Sequence, residues 1–282
     1  MRKVQAINYP GLPITSSTDT SFTIRLSLVF GKACRAGSMT YARANRRKDR
    51  TKMDIVASFV GGARSGLAEL ADPLKAPEMQ AYMKSEMPFR GVQKPARRIL
   101  NRRLFAEYPL TDRESFAKAV RTLWAEAEFR EERYLALDLT GHQAYARWQD
   151  SGLIPLYDEL LVSGAWWDFV DEIAVRRIGP ILRAEPDVLT PQMRNWARDA
   201  DRWRRRTSVI CQVGLKSDTD TELLTHTIEV TIDDPDFFLR KGIGWALREY
   251  AKTNPGWVRR FVDTHPGLSA LARREALKHL AG

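Results

Sequence analysis

Three features of this 282-residue sequence predict an all-α fold. Apolar residues return at helical spacing from Met53 onward, prolines mostly fall between those segments, and a 37-residue period runs through the middle of the chain. Phe129, Trp166, Trp203 and Arg240 are each 37 residues apart, and each is expected to open a helical segment. Two helices in a unit of that length is the spacing of an α-solenoid, a superhelix of HEAT-like helical repeats. The alternative is a plain helical bundle with accidental spacing. In a solenoid one helix of each pair lines a concave surface, where a long ligand such as duplex DNA would lie.

The first 52 residues stand apart. They carry 11 Lys+Arg against Asp19 and Asp49 only, which is +9 of the formal +10. The following 230 residues hold 34 basic and 33 acidic groups and are nearly neutral. Residues 8–22 are rich in Pro, Gly, Ser and Thr, and Arg25 interrupts the one apolar stretch, so a secretory signal is not expected. Residues 1–52 therefore read as a disordered basic extension. It is an organelle transit peptide, a nucleic-acid arm, or the product of a misassigned start that belongs at Met53. Residues 53–282 read as one repeat domain.

Within that domain Asp112 is placed to cap a helix carrying Phe116, Val120 and Leu123. Thr190 and Pro191 look like the cap and first position of a helix running through Trp196 and Ala200. Thr221–Ile232 shows some alternation but reads as helix. No apolar run approaches the ~18 residues a membrane helix needs. Two cysteines, Cys34 and Cys211, cannot build a disulfide framework, so a reducing compartment is expected.

Much chemistry is missing. Gly61–Gly66 resembles a phosphate loop, but Leu67 follows where a lysine is needed. His142, His226, His265 and His279 lack metal-ligand spacing, and no Ser/His/Asp or Cys/His signature is present. No metal or cofactor is expected. What remains is carboxylate, arginine and aromatic chemistry. Trp167 and Asp171 lie four apart on one helical face; Arg206 follows 35 residues later and Trp245 another 39. One repeat after another would bring all four to one surface, and two indoles with a carboxylate suit a flat cationic group. Paired tryptophans are also common core residues, and Arg204–Arg206 could be a solvated charge run.

These residues resemble a known family. Tyr82-Met83-Lys84, Pro88 through Pro95 with Arg97-Arg98, Trp166 through Asp171, Trp203 through Gln212, Lys241 through Pro255 and Ser269 through Lys278 are similar to AlkD-type DNA alkylation repair proteins, over about residues 53–282. Residues 1–52 match nothing in it. The resemblance implies a HEAT-like superhelix and a DNA glycosylase removing cationic N3- and N7-alkylpurines (3-methyladenine, 7-methylguanine), one that reads the lesion while it stays stacked. It implies Asp171, Trp167, Trp245 and Arg206 as the catalytic set. Asp171 would stabilise the sugar cation and orient water, the tryptophans would hold the backbone, and Arg206 would contact phosphates or hold Asp171. It implies DNA contacts at Tyr82, Gln93 and Lys94, with Lys94 bulkier than the family pattern; Arg204 and Arg248 are further candidates. The expected partner is double-stranded DNA carrying alkylated purines, bound by a monomer in a bacterial cytoplasm, at the nucleoid. Arg97/Arg98, Arg102/Arg103, Arg204–Arg206 and Arg259/Arg260 are expected to gather on one face. The rival reading is a non-catalytic HEAT-like module binding damaged or branched DNA or a protein partner.

Overall fold

The computed structural model describes residues 55–280; the readings of residues 1–52, with Cys34 and the Met53 start, lie outside the described residues. All regular structure among the described residues is helical. α1 covers residues 55–69. It is followed by α2 (Ala76–Met83), α3 (Lys94–Glu107), α4 (Arg113–Ala125), α5 (Arg130–Thr140), α6 (Ile154–Gly164) and α7 (Trp167–Ile173). Then come α8 (Gly179–Ala184), α9 (Pro186–Trp196), α10 (Arg202–Ile210), α11 (Thr221–Thr231), α12 (Phe237–Ala251), α13 (Pro255–Thr264) and α14 (Ala270–Leu277).

The helices form two rows. In the first, α3, α5, α7, α10, α12 and α14 each pack on the next. In the second, α4 backs α5, α6 backs α7, α9 backs α10, and α13 backs α12 and α14, with α11 lying against α9 and α10. This is the solenoid arrangement, in which a helix buries its apolar stripe only by stacking on its neighbours. Phe116, Val120 and Leu123 of α4 are fully buried, and the Asp112 carboxylate accepts the Ser115 N–H at 3.0 Å to start that helix. Thr221–Thr231 is helical, as expected, behind an Asp220 cap.

Two expected helix starts are displaced. Pro191 lies inside α9, which opens at Pro186 behind Glu185. Pro186 takes the tolerated early position, while Pro191 cannot bond back to the Asp187 carbonyl. Arg240 is the fourth residue of α12, because the Asp236 carboxylate accepts the Leu239 N–H at 2.9 Å and fixes the start at Phe237. The aromatic register that runs through Phe129, Trp166 and Trp203 continues at Phe238, whose ring centroid lies 5.5 Å from Trp166 and 5.3 Å from Trp203.

The repeat spacing reappears in the charges. Arg97 pairs with Asp138, Arg113 with Asp150, Arg121 with Glu159, Arg130 with Asp168, Arg202 with Asp236 and Arg206 with Asp171, all 34–41 residues apart. The near-neutrality of residues 53–282 thus has a structural counterpart: arginines of one repeat meet carboxylates of an adjoining one. It also corrects the expectation that the arginine pairs gather on one face. Arg97 is buried against Asp138, Arg204 pairs with Asp158 and Asp199, and Arg205 pairs with Asp234. Consecutive helical residues point ~100° apart, so a run such as 204–206 must serve three directions.

Candidate active site

α7 begins with two tryptophans of opposite fate. Trp166 is the N-cap residue and packs against Trp203 and Phe238. Trp167, one residue on, lines an open cleft of about 520 Å³ together with Asp171 one turn later. The helix then passes through a π-turn, Ala174–Ile178, where the Gly179 N–H reaches back to the Ala174 carbonyl. Pro180 follows in α8 and has no N–H to give. Gly179 is needed here, since a Cβ would stand 2.2 Å from the Cys211 carbonyl oxygen.

α10 supplies Arg206 and α12 supplies Trp245 to the same cleft. Glycines in α12 make the approach possible. A Cβ on Gly242 would meet the Arg206 guanidinium at 2.9 Å and Ile210 at 3.3 Å; one on Gly244 would meet Glu275 Cβ of α14 at 2.5 Å. The segment Gly242–Trp245 thus lets two helices close around α12 while its tryptophan faces the cleft.

Arg206 grips Asp171 with a fork: Nε to Oδ1 and Nη2 to Oδ2, both at 2.8 Å, while Nη1 donates to the Phe238 carbonyl. The Arg206 side chain is only 6% exposed, and Asp171 remains 19% exposed at the cleft wall. Burial pushes the Asp171 carboxyl above its ordinary value; Arg206 pulls the other way, and the nearby Asp168 charge adds to the rise. An ionised carboxylate held where it is poorly solvated is a strong electrostatic partner for a developing positive charge.

The expected residues are thus sorted. Trp167, Asp171, Arg206, Trp245, Tyr82 and Arg248 all line the cleft. Tyr82 reaches it from α2 and is 76% exposed, while Arg248 is bound to Glu275 of α14. Gln93 and Lys94 start α3, and Lys94 lines a neighbouring recess with Tyr134, Asp138, Asp168 and Glu172. The loop before them is pinned by the buried Glu131 carboxylate, which accepts the N–H groups of Arg90, Gly91 and Val92 at 2.9–3.1 Å. Arg204 is not brought to the cleft. Its Nε and Nη2 are held by Asp158 of α6 at 2.7 Å. Sequence reasoning missed Phe237, Phe238, Lys241 and Glu275, which also line the cleft; the i, i+4 stripe 237–241–245 was the available signal. Among the described residues no group of three or more His, Cys, Asp or Glu is arranged to hold a metal ion. None of their helices is long and apolar enough to cross a membrane.

Residues 63–280 match the family described as DNA alkylation repair enzyme. The chain belongs to that family. Its role therefore lies in the repair of alkylated DNA, with DNA as the partner. The fold agrees: the solved structure of a predicted DNA alkylation repair enzyme from Enterococcus faecalis is similar, with a TM-score of 0.68 and 30% sequence identity over 75% of this chain and 97% of that one. No curated protein matches the chain.

Proposed function

We propose that this member of the family is a DNA glycosylase that hydrolyses the N-glycosidic bond of N3- and N7-alkylated purines in duplex DNA. The observation that carries the reading is the Asp171 carboxylate, clamped by Arg206 and set in an open cleft with Trp167 and Trp245. Alkylation at N3 or N7 gives the purine a positive charge, so the base takes the bonding electron pair and leaves neutral, without a general acid. The deoxyribose becomes oxocarbenium-like at C1′. One carboxylate then suffices, unlike the two of ordinary glycosidases. Asp171 stabilises the sugar cation and orients a water whose oxygen bonds to C1′, and its raised pKa suits it to take the water's proton. The indoles of Trp167 and Trp245 offer faces to the cationic nucleotide and its sugar.

Of the two roles expected of Arg206, phosphate contact and holding Asp171, its hydrogen bonds favour the second. Its donors are directed at Asp171 and the Phe238 carbonyl, so it is a positioning residue that fixes the carboxylate. The test is release of 7-methylguanine and 3-methyladenine from methylated duplex DNA, with and without EDTA. Release in both conditions is expected. Binding without release would favour a non-catalytic damaged-DNA module, and release abolished by EDTA would overturn the metal-independent mechanism.

A further inference from the structure

The charged groups that line the cleft are Asp171, Glu275, Arg206, Arg248 and Lys241. Four of them cancel in pairs: Arg206 is closed on Asp171, and Arg248 on Glu275. Lys241 alone has no ion pair or hydrogen bond among the described residues, so the cleft's single net positive charge sits on its ammonium. Its Nζ lies 5.9 Å from the Phe237 ring centroid, at the limit of cation–π reach. Phe237 is itself 56% exposed. Phe237, Lys241 and Trp245 follow one another at four-residue steps of α12, forming a stripe of aromatic, cation, aromatic.

An exposed aromatic next to an unpaired ammonium is poor design for stability alone and good design for a nucleic-acid strand: the ring meets sugar or base, the charge meets phosphate. We infer that Lys241 binds the DNA backbone phosphate beside the lesion, the contact that Arg206 is not free to make. That this phosphate lies beside a lesion rests on the glycosylase reading; the phosphate contact does not. A compact ammonium on a four-carbon stem can follow the phosphate while α12 stays fixed. With that phosphate held one turn from Trp245, the damaged strand runs along α12 and across Asp171.

The experiment uses the full chain as wild type, Lys241→Gln and Lys241→Arg. Binding to an undamaged duplex is measured across a salt series, alongside single-turnover release of 7-methylguanine and the thermal midpoint. In Lys241→Gln the slope of log affinity against log salt is expected to shrink by about 0.9, the share of one phosphate. Affinity falls about tenfold, as for one lost charged hydrogen bond. Lys241→Arg restores both, and the midpoint does not move. A wild-type slope and affinity in Lys241→Gln would overturn the assignment, as would a lowered midpoint with an unchanged slope, which marks a purely structural lysine. If the slope falls but wild-type protein releases no base, the glycosylase reading fails and the phosphate contact stands. A wild-type protein that does not bind duplex DNA overturns both.

Discussion

Asp168 and Asp171 stand three residues apart on α7, and each is held by an arginine from an adjoining repeat. Asp168 faces α5: Arg130 donates to it at 2.7 Å and the Tyr134 hydroxyl at 2.6 Å, and its side chain is 13% exposed. Asp171 faces α10 and is gripped by Arg206. The exposures are similar and the chemistry of the pairs is nearly the same. Their surroundings are not. Asp168 sits in a polar network with Arg130, Tyr134 and, through Arg130, Ser85. Asp171 shares its space with two indoles and an open cleft. The same ion-pair rung that ties most repeats together thus becomes a candidate catalytic group at one position, because there the second side of the carboxylate is left to a ligand.

The largest expected effect separates the two carboxylates directly. Asp171→Asn should lower 7-methylguanine release by about 10²–10³-fold, the usual cost of losing one preorganised electrostatic group, while duplex binding stays close to wild type. Asp168→Asn should do the reverse. Release per folded molecule remains within severalfold, and the thermal midpoint drops, since breaking a buried pair costs about 3 kcal/mol. Single-turnover kinetics and thermal melts on both variants decide it. Equal losses of rate would erase the distinction.

A smaller effect probes the support behind Asp171. Gly242→Ala places a methyl 2.9 Å from the Arg206 guanidinium, which has no free direction because Asp171 and Phe238 both hold it. Overpacking of this kind costs about 1–3 kcal/mol. Release should fall about tenfold through the displaced carboxylate, with a modest loss of midpoint. An unchanged rate would show that Asp171 does not depend on Arg206 for its position.

The smallest effect is in pH. On the glycosylase reading catalysis requires ionised Asp171, whose pKa is raised, so the acid limb of the release profile should lie above the ordinary carboxylate range near ~4. Activity is lost as pH falls through that raised value. The linked stability has the opposite sense: what the neutral carboxyl contributes is present below the unfolded pKa and is lost as pH rises through the folded one. Removing the Asp168 charge removes one cause of the rise, so Asp168→Asn should move the limb to lower pH. A limb that moves upward, or stays put, breaks the electrostatic link between the two carboxylates.

Several particulars were legible in the residues themselves. Asp112 capped its helix, Thr221–Thr231 formed one, and the four residues Trp167, Asp171, Arg206 and Trp245 came to one cleft. Local signals such as caps and 3.6-residue periodicity are written in neighbouring residues, and repeat spacing carries them across the chain. The misses have a common source. Nothing near Arg204 in sequence says that Asp158, 46 residues earlier, will claim it. Pro191 looks like a helix start until Pro186 is seen to have taken that position.

The sequence by itself therefore determined that the described residues form a run of helices with a repeat near 37 residues, and it singled out the tryptophans and the carboxylate that meet in one cleft. Only the tertiary structure decided which cations are spent and which remain. Charge pairing between repeats acts over a few ångströms but 34–41 residues of chain, so it cannot be read along the sequence. That pairing committed Arg206 to bracing Asp171 and left Lys241 as the one charged group of the cleft without an ion pair among the described residues.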